Sequence, residues 1–120
     1  MAQHNELGKK GEEMALHYLT KKGFKLIAKN YRFKHQEVDL ILEKDLLLVA
    51  VEVKTRQSTY LSDPHLMVSR AKQRAIIRVI NAFIVEHQIE AEIRFDIVAI
   101  VINKSGVNIR HIPDAFYPLL

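Results

Sequence analysis

Apolar residues recur at helical spacing in two stretches of the chain, and each stretch predicts an amphipathic α-helix. The first helix is predicted over residues 6–22, with Asn5 as its N-cap and Gly23 as its C-terminal stop. The second is predicted to run from a Ser69 cap to about His87. On this second helix the apolar residues share one stripe, whereas a separate stripe carries arginines at positions 70, 74 and 78.

Runs of apolar residues with strand character predict five β-strands, over residues 24–31, 36–43, 46–55, 92–102 and 107–112. The third run is apolar on both faces, as expected for a central strand. The order of helix, three strands, helix and two strands predicts an α/β fold with a mixed central sheet and helices on both faces. With 120 residues, 48% of them hydrophobic, we expect residues 1–120 to form one domain.

Two opposite charges, Glu52 and Lys54, stand at the end of the third strand. Side chains two residues apart in a strand project from the same face, so these two groups lie together. A buried charge is costly unless it is paired or binds a metal ion. The pair is therefore either a simple ion pair at a strand end or part of a functional site.

Asp39 interrupts the apolar run of the preceding strand, and its orientation depends on the length of the turn between the two strands. An even-numbered hairpin loop places Asp39 on the face of Glu52 and Lys54, together with Glu37. A three-residue loop would reverse this. Carboxylates gathered on one face repel each other and are most easily tolerated around a hard divalent cation.

The first helix offers a further carboxylate. At about 100° per residue, Glu12 lies on the flank of the apolar stripe beside Gly8 and Ala15, whereas Glu13 points away from it. Glu12 could therefore reach the other carboxylates. The alternative is that Glu12 is an ordinary solvated residue on the helix surface.

Charge is unevenly distributed along the chain, whose net charge is +4. The net charge is +5 over residues 1–36, −3 over residues 37–55, +4 over residues 56–80 and −2 over residues 81–120. An acidic block between two basic ones suits a polyanion held around an acidic, cation-binding centre. The alternative is a mildly basic surface without a specific partner.

The sequence argues against cysteine-based sites, histidine metal sites, membrane insertion and secretion. The chain has no cysteine, which excludes disulfides, thiolate zinc sites and cysteine nucleophiles, and its six histidines lack any metal-ligand spacing. No apolar stretch approaches the roughly 18–20 residues of a membrane helix, and no secretory signal is visible at the amino terminus. We therefore expect a cytoplasmic protein without a membrane partner.

Asp39, followed thirteen residues later by Glu52-Val53-Lys54, resembles the PD-(D/E)xK motif of restriction-endonuclease-like nucleases. A longer set of residues resembles the YraN-like family of small bacterial proteins, which is related to archaeal Holliday junction resolvases. This set comprises Gly8, Gly11, Glu12, Ala15, Tyr18, Leu19, Gly23, Asn30-Tyr31-Arg32, residues 37–41, residues 51–56, Lys72-Gln73 and residues 95–99. Gln36 stands where the family usually has Gly, and Val38 stands where the superfamily name has Pro.

The resemblance implies a restriction-endonuclease-like core and a metal-dependent endonuclease acting on DNA, with branched or junction DNA as a candidate substrate. It implies Mg²⁺ or Mn²⁺ held by Asp39, Glu52 and the Val53 carbonyl, with Glu12 completing the site. Lys54, kept protonated by its carboxylate neighbours, would position the attacking water and contact the phosphate. The candidate catalytic residues are thus Glu12, Asp39, Glu52 and Lys54.

Basic residues near these groups are candidates for binding backbone phosphates: Arg56, Arg70, Lys72 and Arg74. The alternative for each is a solvated basic surface. Gln73 could meet either the site or the core, and Tyr60 either stacks on an unpaired base or packs within its loop. Asp96 is expected to cap or to pair within its strand, and it is not among the candidate catalytic residues.

Two other functions stay open. The protein could bind nucleic acid without cleaving it, or it could be a structural protein in which Glu52 and Lys54 form an ion pair. Junction-resolving relatives usually pair in order to cut two strands, so a homodimer is a further expectation, which light scattering would test.

Overall fold

A computed structural model describes residues 2–57 and 67–118 of the chain. Its elements, in chain order, are α1 (Ala2–Lys21), β1 (Lys25–Phe33), β2 (Gln36–Lys44), β3 (Leu47–Arg56), α2 (Arg70–His87), β4 (Glu92–Asn103) and β5 (Gly106–Phe116). This order of helix, three-stranded meander, helix and two strands confirms the one predicted from the hydrophobic pattern.

The five strands form one mixed sheet in the order β1-β2-β3-β4-β5. Neighbouring strands are antiparallel except β3 and β4, which are parallel because α2 crosses over between them. Val49 and Val51 of β3 pack with Ala15 and Leu19 of α1. Ala50 and its neighbours on the other face pack with the apolar stripe of α2, which contains Ile76, Val79, Ile80 and Phe83. Both faces of β3 are therefore covered, as predicted.

The largest differences from the predicted ends lie at the start of α1 and at the end of β5. Helix α1 begins at Ala2, so the prediction that Asn5 is the N-cap is wrong. Asn carries only a modest helix penalty, and each residue added to an existing helix gains a backbone hydrogen bond. The Ser69 cap of α2 is confirmed, because its side chain accepts a hydrogen bond from the Lys72 N–H. Strand β5 continues past Pro113 to Phe116, which an edge strand allows.

Helix α1 approaches β3 most closely at Gly11. A Cβ atom at this position would overlap the Thr55 side chain, whereas one at Gly8 would have no neighbour within 4 Å. Gly11 and Thr55 are both buried. The missing side chain at Gly11 therefore lets the helix lie against the end of β3, where it carries the next residue, Glu12, towards the sheet.

Asp96 on β4 is fully buried and serves as the centre of a polar network. Its carboxylate accepts hydrogen bonds from Arg94 at 2.8 Å, from His111 at 2.7 Å and from the Asp114 N–H at 2.9 Å. Burial alone would raise the pKa of Asp96, but these hydrogen bonds outweigh it and lower the pKa. The network ties β5 to β4, in agreement with the pairing role expected for Asp96.

No helix within residues 2–57 and 67–118 has both the length and the apolar character needed to cross a membrane.

Candidate active site

The hairpin between β2 and β3 has a loop of two residues. Lys44 pairs with Leu47, and the intervening Asp45 and Leu46 have φ angles of 51° and 68°. Two consecutive positive φ angles are typical of the type I′ turn, which suits the twist of a hairpin. The loop is therefore even-numbered, and extending the register of Leu40 opposite Val51 places Asp39 opposite Glu52. The condition for Asp39 to share the face of Glu52 is met.

Strands β2 and β3 separate immediately beyond the Leu40 and Val51 pair, and we call this place the split. Here the Val53 N–H donates a hydrogen bond of 2.7 Å to the side chain of Asp39 rather than to the backbone of β2. A side-chain carboxylate thus takes the place of a main-chain acceptor. The N–H and carbonyl of one strand residue point to the same side, so the Val53 carbonyl also points towards the split.

Asp39 and Glu52 form a pair of carboxyl groups at the split. Glu52 is only 6% exposed, and its Oε1 atom has no hydrogen-bond partner among the described residues. Burial, the charge of Glu52 and a hydrogen bond with Glu52 raise the pKa of Asp39 to about 8, against opposing effects of the Val53 N–H and Lys72. The raised pKa favours the protonated form of Asp39, because a second negative charge beside the carboxylate of Glu52 is repelled.

Lys72 of α2 supplies one positive charge to this pair. Its Nζ atom lies 3.3 Å from Glu52 Oε2, and the lysine side chain itself is 45% exposed. Lys72 is predicted from the sequence to bind phosphate, and its contact with Glu52 is not evident from the sequence. Glu52 and Lys54, in contrast, form no ion pair with each other in the described structure. The simple ion-pair interpretation of these two residues is therefore wrong.

Glu12 reaches the neighbourhood of the split from α1. Its Oε1 atom accepts a hydrogen bond of 2.9 Å from Asn30, whose amide also donates to Glu37 at 3.0 Å. Burial raises the pKa of Glu12, opposed by the Asn30 hydrogen bond and reinforced by the charges of Asp39 and Glu37. Glu13 is exposed, as predicted. Asn30 is thus the residue that holds Glu12 in place, and its role was not evident from its spacing in the sequence.

Glu37 does not join the carboxyl pair, contrary to the prediction that it shares the strand face of Asp39 and Glu52. Its carboxylate binds Asn30 and Arg32, the latter at 3.1 Å. The reason is a break in the strand alternation, since Val38 packs with α2 while Leu40, two residues later, packs with α1. Asn30 opposite this break has a φ angle of 49°. The prediction assumed that side chains alternate regularly between the two faces of a strand, and this does not hold where both strands are irregular.

Lys54 is half-buried beside this pair, and its pKa is shifted in a direction opposite to the one expected. Burial, followed by the charge of Arg56, lowers the pKa of Lys54 more than Glu52 and Asp39 raise it. Desolvation of the ammonium group thus outweighs the effect of the two carboxyl groups on the pKa of Lys54. Lys54 loses its proton more readily than an exposed lysine.

The remaining candidate residues divide into two groups. Arg70, Lys72 and Arg74 are exposed on the first turns of α2. Arg56 donates to the carbonyl of Thr55, and Gln73 donates to the carbonyl of Val68 at 3.0 Å, which gives Gln73 a structural contact with the segment before α2. Tyr60 lies outside the described residues.

The geometry of the split fits a divalent cation with few protein ligands. Within residues 2–57 and 67–118, no three His, Cys, Asp or Glu side chains are grouped closely enough to hold a metal ion. Mg²⁺, however, is commonly bound by one or two carboxylates together with substrate phosphates and water. Asp39, the unpartnered Oε1 of Glu52 and the Val53 carbonyl provide such a partial set of oxygen ligands.

Comparison with known proteins places this site in a bacterial family. A sequence model described as "Uncharacterised protein family UPF0102" matches residues 11–100, which include Glu12, Asp39, Glu52 and Lys54. A UPF0102 protein of Christiangramia forsetii is 43% identical over 98% of this chain and 98% of its own length. One of Bacteroides thetaiotaomicron is 40% identical over 100% of this chain and 99% of its own length. The chain therefore belongs to the uncharacterised protein family UPF0102, the YraN-like family that its motifs resemble.

Proposed function

We propose that this protein is a metal-dependent endonuclease that hydrolyses DNA phosphodiester bonds, and that it belongs to the PD-(D/E)xK superfamily together with the Holliday junction resolvases. The observation that carries the proposal is the contact between buried Glu52 and half-buried Asp39 at the split, with Lys54 beside it. A structural protein gains no stability from two carboxyl groups in contact, one of them with an unsatisfied oxygen. A site that recruits a cation needs this arrangement.

Each residue of the site has a role in this reaction. Asp39, Glu52 and the Val53 carbonyl would hold the ion. Bound Mg²⁺ or Mn²⁺ would supply positive charge to the reacting phosphate and make its coordinated water more acidic. Lys54 orients the attacking water and contacts a phosphate oxygen. Glu12, positioned by Asn30, accepts a hydrogen bond from water at the edge of the site.

The exposed cations near the site bind the DNA backbone. Arg70 and Arg74 lie on the helix that carries Lys72, whose ammonium group already contacts Glu52. Arg56 follows Lys54 on β3 and extends the positive charge beyond the split. Binding through these groups does not depend on base identity, so it would tolerate many sequences. We include branched and junction DNA among the candidate substrates.

The ion pair between Lys72 and Glu52 also supports a second candidate function. This contact partly neutralises the carboxyl pair without any metal ion. A protein that keeps the nuclease fold but only binds nucleic acid would retain the basic surface and use Lys72 to stabilise Glu52. This candidate predicts DNA binding that weakens with salt and survives the loss of either carboxylate.

A cleavage assay with matched glutamine variants distinguishes the two candidates. Wild type, Glu52→Gln and Glu13→Gln are incubated with Mg²⁺ or Mn²⁺ and a panel of duplex, single-stranded, flap and four-way-junction DNA. Nuclease function predicts cleavage of at least one substrate by wild type and by Glu13→Gln, whose changed side chain is exposed. It predicts no cleavage by Glu52→Gln. If wild type binds every substrate but leaves each intact, catalysis is rejected in favour of binding alone.

The stability of the protein should depend on pH and on divalent cations together. The carboxyl of Asp39 has a pKa of about 8 in the folded chain and a reference value of 3.8. Folding therefore takes up a proton between these values, and the metal-free protein loses stability as the pH rises through this window. Mg²⁺ favours the ionised pair, so it should raise the melting temperature more at pH 8 than at pH 5.

Thermal unfolding in EDTA and in Mg²⁺ at the two pH values provides this measurement. Asp39→Asn serves as the reference, since it removes this titration while keeping all six histidines. Equal pH profiles for wild type and Asp39→Asn in EDTA would contradict the raised pKa of Asp39. An equal Mg²⁺ effect on both proteins would contradict metal binding at the split.

A further inference from the structure

A groove separate from the split runs between α2 and the residues that follow β5. Its volume is about 270 Å³. One wall is formed by the arginine stripe of α2, which consists of Arg70, Arg74 and Arg78, and the opposite wall by Tyr117 and Pro118. Successive arginines of the stripe are four residues apart, so they follow each other at about 6 Å along the helix. The groove thus combines a line of cations with an aromatic side chain.

The chemistry of the lining selects for an anion that also has a flat apolar surface. Among the described residues that form the walls, none is an Asp or Glu, so the charge of the arginines is not cancelled within the groove. Arg78 donates a hydrogen bond of 3.2 Å to Gln36, which orients its guanidinium group. Tyr117 is 66% exposed, which leaves its ring available for stacking.

The groove and the candidate active site share α2 but lie on different sides of it. Lys72 contacts Glu52 at the split, whereas Arg70 and Arg74, two residues before and after it, project from the other side of the helix. A DNA strand that leaves the split therefore passes around the start of α2, a distance of about 10 Å, before it reaches the arginine stripe. In a duplex the faces of the bases are already covered by their neighbours, so only an unpaired base can stack on Tyr117.

We propose that this groove binds an unpaired nucleotide of the DNA substrate, with Arg70 and Arg74 on its phosphates and its base stacked on Tyr117. This inference rests on the proposed action on DNA but not on catalysis. It gives the protein a preference for DNA with a single-stranded segment a short distance from the cleavage site. A blunt or nicked duplex, which has no unpaired base, would bind less tightly.

Fluorescence offers a direct test because the chain contains no tryptophan. Tyr117→Trp introduces a single indole at the groove, and Tyr18→Trp introduces one on α1 as a control. Each variant is titrated in EDTA with an oligothymidine strand, an abasic strand of the same length and a blunt duplex. We expect saturable quenching of Tyr117→Trp by the oligothymidine strand alone, and no comparable quenching of Tyr18→Trp.

Affinity measurements on two further variants keep the test independent of the fluorophore. Tyr117→Ala should weaken binding of the oligothymidine strand by about tenfold or more, whereas Tyr117→Phe, which keeps the ring, should bind nearly as tightly as wild type. Equal quenching by the abasic strand, or equal affinity of the Ala and Phe variants, would overturn the proposal. Because EDTA prevents cleavage, base stacking without nuclease activity, or the reverse, would separate this inference from the proposed reaction.

Discussion

Asp39→Asn is expected to abolish metal-dependent DNA cleavage and, at pH 8, to raise the free energy of unfolding of the metal-free protein. The cleavage rate should fall by about 100-fold or more, because a charged group that stabilises the reacting centre is removed. At pH 8 Asp39 is ionised in the unfolded chain, whereas in the folded chain, where its pKa is about 8, it must take up a proton or stay ionised beside Glu52. Both cost free energy, so removal of the carboxyl group should raise the stability by more than about 1 kcal/mol. An Asn side chain can still accept the hydrogen bond from Val53 and can donate one to Glu52.

Urea unfolding in EDTA and the cleavage assay in Mn²⁺ measure the two halves of this result. Glu43→Gln is the matched control, because Glu43 lies on the same strand and is exposed. It should change neither the stability nor the cleavage rate appreciably. A loss of stability in Asp39→Asn would show that the carboxyl pair stabilises the fold, which would remove the physical basis for a metal site at the split.

Gly11→Ala and Gly8→Ala are expected to change stability in opposite directions although both replace a glycine in α1. At Gly8 the added methyl group has no neighbour within 4 Å, so the higher helix propensity of Ala should stabilise the protein by roughly 0.5–1 kcal/mol. At Gly11 the methyl group overlaps the Thr55 side chain. This overlap should destabilise the protein by about 1–3 kcal/mol, because β-branched Thr55 is buried against α1.

Urea denaturation of the three single variants Gly8→Ala, Gly11→Ala and Thr55→Ala, and of one double variant, measures this effect. Thr55→Ala removes the hydroxyl and methyl groups that the new Cβ would meet. The double variant Gly11→Ala with Thr55→Ala should therefore be less destabilised than the sum of its single changes. Additive effects, or equal effects at Gly8 and Gly11, would contradict the close approach of α1 to the end of β3.

Both predictions concern residues whose environment is formed by contacts between different helices and strands. The hydrophobic period identified the helices and strands, and the turn-length argument correctly placed Asp39 with Glu52. The same argument failed for Glu37, since it assumed an alternation that β2 does not keep between Val38 and Leu40. The role of Asn30 could not be predicted from the sequence for a different reason. Its amide donates hydrogen bonds to Glu12 and Glu37, which come close to it only in the folded structure.

The sequence by itself determined the order of the elements, the burial of β3 on both faces, and a carboxyl group on each of two adjacent strands. These features follow from the spacing of hydrophobic residues along the chain, which can be seen within each short segment of the sequence. Only the tertiary structure decided that Lys72 rather than Lys54 contacts Glu52, and that the pKa of Lys54 is lowered. It alone brought Tyr117 to the arginine stripe. Ion pairs, desolvation and grooves depend on distances between elements, and the spacing of residues along a chain does not contain those distances.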